Sequence, residues 1–412
     1  MRVCIHRGTK EIGGSCVEIE SRNTRIVLDV GLPLDAASPD EVPLHSVPGF
    51  ETLDPSLLGV VISHPHQDHY GLAYRLPDQT RFLIGEAAQS VLAAADLFTP
   101  SGATFRNVVH LEDRKPITLG PFTIVPFLVD HSAYDSYALL VEADGKRLFY
   151  SGDLRAHGRK GALFQKLVVQ PPERVDVLLM EGTTIGRKDQ AFPTEAALEQ
   201  RFVELFQQTE GMPLVCCSGQ NIDRLVTIFR ACVKAGRQFI IDMYTAHVLR
   251  ATGNERLPQA GWDHIKVFLP GTQRRQIVRR GEFAIANSYR PWRIFPEQLA
   301  QAAATSVMLF RPSMINDVEQ ASCLPGARLI YSLWSGYLKD PKTQQFLEWL
   351  HRYGIPLSEC HTSGHAAVQE LMALRRAFPS APVVPIHTVN ADRFAELFGN
   401  VERRNDGEWW TV

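Results

Sequence analysis

The feature that most restricts this chain is Ser63-His64-Pro65-His66-Gln67-Asp68-His69, which follows the apolar run Leu57-Leu58-Gly59-Val60-Val61-Ile62. A short apolar run of this kind reads as a buried strand, and this one leads straight into three histidines and an acid. Histidine is the commonest metal ligand, and a mixed imidazole–carboxylate set suits Zn²⁺ or Mn²⁺. His64 and His66 are two residues apart and can converge on one ion. Asp68 and His69 lie past the bend and can reach a second.

One such cluster supplies too few donors for two ions, so further donors are sought at other strand ends. Arg25-Ile26-Val27-Leu28-Asp29-Val30-Gly31, Arg147-Leu148-Phe149-Tyr150-Ser151-Gly152-Asp153 and Val175-Asp176-Val177-Leu178-Leu179-Met180-Glu181 are apolar runs that reach an acid. Polar residues at the C-terminal edges of strands are where α/β enzymes place their chemistry. Asp130-His131-Ser132 follows the run from Phe122 to Val129, and His387 ends Val383-Val384-Pro385-Ile386. Taken alone, a strand-end histidine is more often a satisfied surface or core residue. Taken in order after the first cluster, His131, Asp153 and His387 read as donors, with Asp153 suited to bridging two ions.

Composition narrows the class. The chain has 412 residues, 45% hydrophobic and 21% charged, which excludes disordered and fibrous classes. The net charge of −2 gives no global attraction to nucleic acid, so any such binding needs a local patch. No apolar run approaches a membrane span and no signal-peptide core is present, so no membrane partner is expected and the cytoplasm is the default location. The seven cysteines include no C-x-x-C pair, which argues against a disulfide framework or a zinc ribbon.

From about Pro193 the texture changes to alternating helices and strands. Ile222, Leu225, Val226, Phe229, Cys232 and Val233 predict one face of a helix, and Gly236 suits its end. Phe239-Ile240-Ile241-Asp242, Val307-Met308-Leu309-Phe310 and Leu329-Ile330-Tyr331-Ser332 predict strands of a parallel sheet. The expected division is 1–191 for the first part of a core, 192–356 for an inserted α/β domain and 357–412 for the return to the core.

The order His-x-His-x-Asp-His, then His131, then Asp153, resembles the ligand order of the metallo-β-lactamase fold. Met180-Glu181-Gly182-Thr183-Thr184, Ser363-Gly364-His365-Ala366 and Pro385-Ile386-His387-Thr388 narrow the resemblance to the β-CASP nucleases, which include RNase J and the cleavage subunit of mRNA 3′-end processing. Glu11-Ile12-Gly13-Gly14-Ser15-Cys16 also resembles the start of these proteins. The resemblance implies an αββα sandwich core with a β-CASP domain, containing a parallel sheet, inserted into it. It implies two divalent ions, zinc before manganese: His64, His66 and His131 on the first, Asp68, His69 and His387 on the second, and Asp153 bridging. Glu181 is expected to orient a histidine ligand. Ser363 and His365 are expected to face the scissile phosphate, with His365 donating a hydrogen bond or proton. Asp68, beyond ligation, can be read as a general base.

Ser218, Gly219, Gln220 and Asn221 lie between a strand and a helix, where free N–H groups can meet a phosphate. Ser218 can equally be a plain N-cap. The implied activity is hydrolysis of RNA phosphodiester bonds by hydroxide generated between two metals, endo- or 5′-exo-acting. A DNA nuclease of the same fold is the nearest alternative, and a small-molecule metallo-hydrolase a more distant one. His387 stands where DNA-repair relatives carry valine, which favours single-stranded RNA as partner. Arg274, Arg275, Arg279 and Arg280, with Arg290, Arg293, Tyr289 and Trp292 nearby, suit a single strand, or else form a solvated face. Trp334 is expected in the core. The C-terminal assembly domain of longer RNase J proteins is expected to be absent, leaving a homodimer as the assembly to test.

Overall fold

The computed structural model describes residues 1–36, 38–100, 102–187 and 191–412. The chain divides into two compact units. The first comprises Met1–Leu92, Ala103–Phe192 and Gly364–Val412, and the second Ala93–Gly102 and Pro193–Ser363.

The first unit is built on two mixed sheets. One orders Trp409–Thr411, Arg2–Arg7, Cys16–Ser21, Thr24–Leu28, Leu57–Val61, Arg81–Gly85 and Asn107–Leu111. The other orders Val383–Ile386, Val177–Glu181, Lys146–Tyr150, Ser136–Ala143, Phe122–Val129 and Ile117–Leu119. Period-two alternation joins them. Tyr137, Leu139, Val141 and Ala143 point into a core shared with Val3, Ile5, Val17, Ile19 and Ile26 of the facing sheet. Ala138 and Leu140 point the other way, into a layer with the helices Gly161–Val169 and Val368–Ala377. Val27, Val60 and Phe82 on the first sheet's outer face pack with Ala88 and Leu92 of the helix Glu86–Asp96. The result is the expected αββα sandwich. Strands buried on both faces need near-continuous apolar sequence, which is why the runs ending at Asp29, Asp153 and Glu181 were legible.

Parallel pairing places the chemistry. Lys146–Tyr150, Val177–Glu181 and Val383–Ile386 are parallel neighbours, so the residues after them emerge side by side at one edge. Thr24–Leu28 and Leu57–Val61 are likewise parallel neighbours in the other sheet.

The second unit holds one all-parallel sheet, ordered Arg293–Ile294, Ile265–Phe268, Gln238–Asp242, Ser306–Leu309, Pro213–Cys216, Arg328–Tyr331 and Leu357–Glu359. Its boundary differs from the expected 356/357. Leu357–Glu359 adds to this sheet as an edge strand, through Leu329↔Leu357. Ala93–Gly102 also belongs to this unit: Arg280 pairs with Asp96 at 2.7 Å, and Gln276 donates to the Phe98 carbonyl at 2.8 Å. These contacts join segments far apart in sequence, so no local pattern announced them.

Two side-chain expectations are corrected. In the helix Ile222–Lys234 the buried stripe includes Arg224, Ile228 and Ala231, whereas Val233 is 43% exposed. Arg224 rotates the face inward because its guanidinium is held by Glu195 at 2.9 Å and by Ser332. Trp334 is 48% exposed and meets Tyr337 edge-on, rather than lying in the core. Among the described residues no helix is long and apolar enough to cross a membrane.

Leu139 is fully buried between the two sheets. Leu139→Ala is expected to lower stability by about 2–5 kcal/mol, read as a shifted midpoint in urea unfolding followed by circular dichroism.

Candidate metal centre

The motif loop is laid down by backbone contacts. The helix Gln67–Tyr70 starts at His66, whose ring makes no capping bond and so is left for other partners. Gly31 lies beneath this turn: a Cβ there would sit 1.8 Å from the Asp68 carbonyl oxygen. That carbonyl accepts from the Ser15 N–H at 3.1 Å, and the His69 carbonyl accepts from the Val30 N–H at 2.8 Å. The chain therefore turns tightly enough to present His64, His66, Asp68 and His69 to one region.

Three donor groups result, each with its ligand atoms within 4.8 Å of one another: His64, His66 and His131; Asp68, His69, Asp153 and His387; and Asp153, Glu181, His365 and His387. His66 Nδ1 and His131 Nε2 are 3.1 Å apart. Asp153 Oδ2 lies 3.2 Å from His69 Nε2 and 3.6 Å from His64 Nε2, between the first two groups. Asp68 Oδ2 is 3.2 Å from His387 Nε2.

Three of the histidines are oriented by partners outside the donor groups. Asp29 accepts from the Ser63 N–H at 2.7 Å, the Ser63 hydroxyl at 2.8 Å and the Tyr150 hydroxyl at 2.7 Å, and pairs with His69 Nδ1 at 2.8 Å. His64 Nδ1 is 3.0 Å from Ser63 Oγ, and His387 Nδ1 is 2.9 Å from Thr183 Oγ1. Asp29 and His387 both adopt left-handed backbone, φ 60° and 54°. Such conformations cost about 1–3 kcal/mol and persist only where the surroundings hold them. The His387 N–H is anchored on the Gly8 carbonyl at 2.7 Å.

Glu181 sits differently from expectation. Its carboxylate accepts from the N–H groups of Leu154, Thr183 and Ala366, and lies 3.4 Å from His365 Nδ1. It therefore orients His365, not one of the six histidines and acids of the expected first and second ion sets. Orientation of those donors falls instead to Asp29, Ser63 and Thr183. Ser63, Tyr150 and Thr183 were missed as functional positions because a hydroxyl acting through a histidine carries no spacing signature. Asp29 did carry one, as an acid ending an apolar run.

Ser363 is the last residue of the second unit. A Cβ on the next residue, Gly364, would come within 2.4 Å of Ser132 Oγ, so only glycine lets the chain pass there. Ser218, Gln220 and Asn221 also belong to the second unit. Asn221, not Ser218, is the N-cap, accepting from the Arg224 N–H at 3.1 Å. Ser218 is exposed and accepts from the Gln220 N–H at 3.2 Å, while Gln220 donates to the Tyr244 hydroxyl at 2.9 Å.

Electrostatics favour metal-competent forms in the group His64, His66 and His131 and at the carboxylates of Asp68 and Asp153. Burial lowers the pKa of His64 and His131 well below the ordinary value and that of His66 to about 4, so these imidazoles are neutral. Burial works against charge on Asp68 and Asp153, but the facing histidines outweigh it and hold both carboxyls below the usual range. Burial also opposes charge on His69, yet Asp153 and Asp29 raise its pKa well above normal. His64 Nε2, His69 Nε2 and both oxygens of Asp153 are buried without a hydrogen-bond partner. Buried polar atoms left so cost several kcal/mol in total, and a cation facing them removes that cost. A nitrogen-and-oxygen donor set of this kind fits Zn²⁺ or Mn²⁺.

Residues 24–215 match the family described as Beta-lactamase superfamily domain. Ribonuclease J of Helicobacter pylori (strain ATCC 700392 / 26695) is 26% identical over 247 residues, 57% of this chain and 35% of that protein. Transcription termination factor FttA of Lokiarchaeum sp. (strain GC14_75) is 29% identical over 223 residues, 49% of this chain and 34% of that protein. The chain thus covers about a third of the length of these relatives. A crystal structure of a protein of unknown function from Enterococcus faecalis V583 superposes with a TM-score of 0.79 at 18% identity, covering 100% of this chain and 99% of that one.

Asp29 carries the orientation of His69. Asp29→Ala, which leaves buried donors unpaired, is expected to cost about 3–5 kcal/mol. Tyr150→Phe, which removes one bond, should cost about 1 kcal/mol, and urea denaturation of the two variants side by side checks the ratio.

Proposed function

Because the chain belongs to the RNase J-like, β-CASP branch of the metallo-β-lactamase superfamily, we propose that it is a metal-dependent ribonuclease that hydrolyses phosphodiester bonds in single-stranded RNA. The observation that carries this reading is the position of Asp153 between two donor groups, with His365 3.6 Å from the same carboxylate. In this reading His64, His66 and His131 hold one divalent ion and Asp68, His69 and His387 hold another, with Asp153 shared. When bound, the ions supply Lewis acidity: they acidify water and offset negative charge developing on a phosphate.

The chain's own residues do the rest. Glu181 lies 3.4 Å from His365 Nδ1 and helps to set the orientation of the ring beside Asp153. There His365 donates a hydrogen bond to the phosphate or a proton to the leaving oxygen. Asp68 acts as a ligand and is oriented by His387. Ser363 and the Ser218–Asn221 junction bind the substrate's phosphates. RNA, rather than DNA, is supported by the names of the relatives and by His387 in the last motif.

The deciding test is digestion of matched single-stranded RNA and DNA, labelled at the 5′ end, with Zn²⁺ or Mn²⁺ supplied. Wild type is expected to consume RNA and spare DNA, and His365→Ala to lose about 100-fold or more in rate while keeping its metal content. Labelled mononucleotide means 5′-exonuclease action; longer labelled fragments mean internal cuts. Preferential cutting of DNA, or no cutting of either by metal-loaded protein, would sink the proposal.

Metal removal gives a second check. Exhaustive chelation should abolish cleavage and lower the thermal midpoint, and Asp153→Ala should purify with less metal than wild type by elemental mass spectrometry. An Asp153→Ala protein with wild-type metal content would contradict the shared-ligand reading.

A further inference from the structure

The basic groups of this chain are not spread evenly. Residues 264–296 hold seven basic side chains and one acidic, in a protein whose net charge is −2. Ion pairing does not account for them. Arg280 pairs with Asp96, but among the described residues no carboxylate pairs with Arg274, Arg275, Arg279 or Arg290. Helix electrostatics do not account for all of them either. Arg279 and Arg280 close the helix Gly271–Arg280, where positive charge is favourable, but Arg274 and Arg275 lie in its first half, whose first turn has no acid.

The same stretch exposes aromatic rings. Phe283 is 53% exposed and starts the helix Phe283–Ser288, none of whose residues is buried. Trp292 is 37% exposed, and its indole rests on the backbone of Gly261, where a Cβ would lie 3.3 Å from the ring. The indole is therefore packed against this backbone on one side. The stretch is also anchored. Arg293 and Ile294 pair with Val267 and Phe268 at the sheet edge, and the guanidinium of Arg250 sits 4.7 Å from the ring centre of the buried Tyr289.

We propose that this surface of the second unit is a binding site for single-stranded RNA: the arginines pair with phosphates, and Trp292 and Phe283 stack on unpaired bases. The choice of RNA rests on the ribonuclease reading; the chemistry of a polyanion with flat bases rests on the charges and rings alone. The guanidinium fork suits phosphate oxygens, and stacking requires bases that are not already paired.

The test is equilibrium binding of a 5′-fluorescein oligouridylate of about 20 nucleotides to the full chain, by anisotropy across a salt series, with the probe recovered intact on a gel. Replacing Arg274, Arg275 and Arg279 together by alanine is expected to weaken binding at least about tenfold and to reduce the slope of log K against log salt by about 2. The matching triple lysine variant should restore the slope. Trp292→Ala should weaken binding about tenfold with the slope unchanged. All these side chains are exposed, so the fold and the hydrolysis of bis(p-nitrophenyl) phosphate should be unaffected. Wild-type affinity in the triple alanine variant overturns the proposal. So does equal binding of duplex RNA with no effect of Trp292→Ala, or a loss confined to phosphatidylserine vesicles. Binding that depends on these residues in a protein that cuts no RNA would remove the ribonuclease reading and leave this site standing.

Discussion

Asp153 lies where the donor groups of the first unit meet, and both its oxygens are buried without a hydrogen-bond donor. An ionised carboxylate in that state is expensive unless positive charge faces it. Much of the surrounding structure can be understood as a response. His69, His387 and His365 turn toward it at 3.2, 3.7 and 3.6 Å, and Asp29 stabilises positive charge on His69 from behind. His64, His66 and His131 are kept neutral by burial, which is the form a cation requires of an imidazole. The protein thus maintains at one sheet edge an arrangement that would be unstable as ordinary core.

Keeping that arrangement in place requires a rigid frame. The two sheets share a dry core whose inward residues alternate with residues facing the outer helices. Because Thr24–Leu28 runs parallel to Leu57–Val61, and Lys146–Tyr150, Val177–Glu181 and Val383–Ile386 run parallel to one another, the ends within each set emerge on one side, and no long loop is needed to gather the donors. Left-handed backbone is also held at the same edge. Asp29, Gly152 and His387 all have positive φ, and the non-glycine pair is held by bonds from Ser63, Tyr150, Thr183 and Gly8.

The second unit follows different rules. Its sheet is wholly parallel, and its buried polar residues are engaged with one another rather than gathered as metal donors: Arg224 with Glu195 and Ser332, Arg311 with Asp242 at 2.7 Å and Thr245 at 3.1 Å. These networks specify how helices meet strand ends. They also explain why a helix face inferred from apolar spacing alone was rotated, since a fully paired arginine can occupy a core position.

Local sequence determined a good deal of this protein. Apolar runs with an acid or histidine at their ends disclosed the strands that carry His64, His131, Asp153, Glu181 and His387, because strands buried in the sandwich demand such runs. The density of donors after Leu57–Val61 disclosed metal chemistry, because few other environments tolerate it. Tertiary structure decided what depends on meetings between distant segments. Glu181 against His365, Thr183 against His387 and Tyr150 against Asp29 are single polar contacts across 121 to 204 residues of chain, and a lone hydroxyl or carboxylate leaves no periodic trace. The placement of Leu357–Glu359 and Ala93–Gly102 with the second unit, and the exposure of Trp334, were likewise settled only by packing. Periodicity records which side of an element is buried; which partner it meets there is fixed by the geometry of the folded chain.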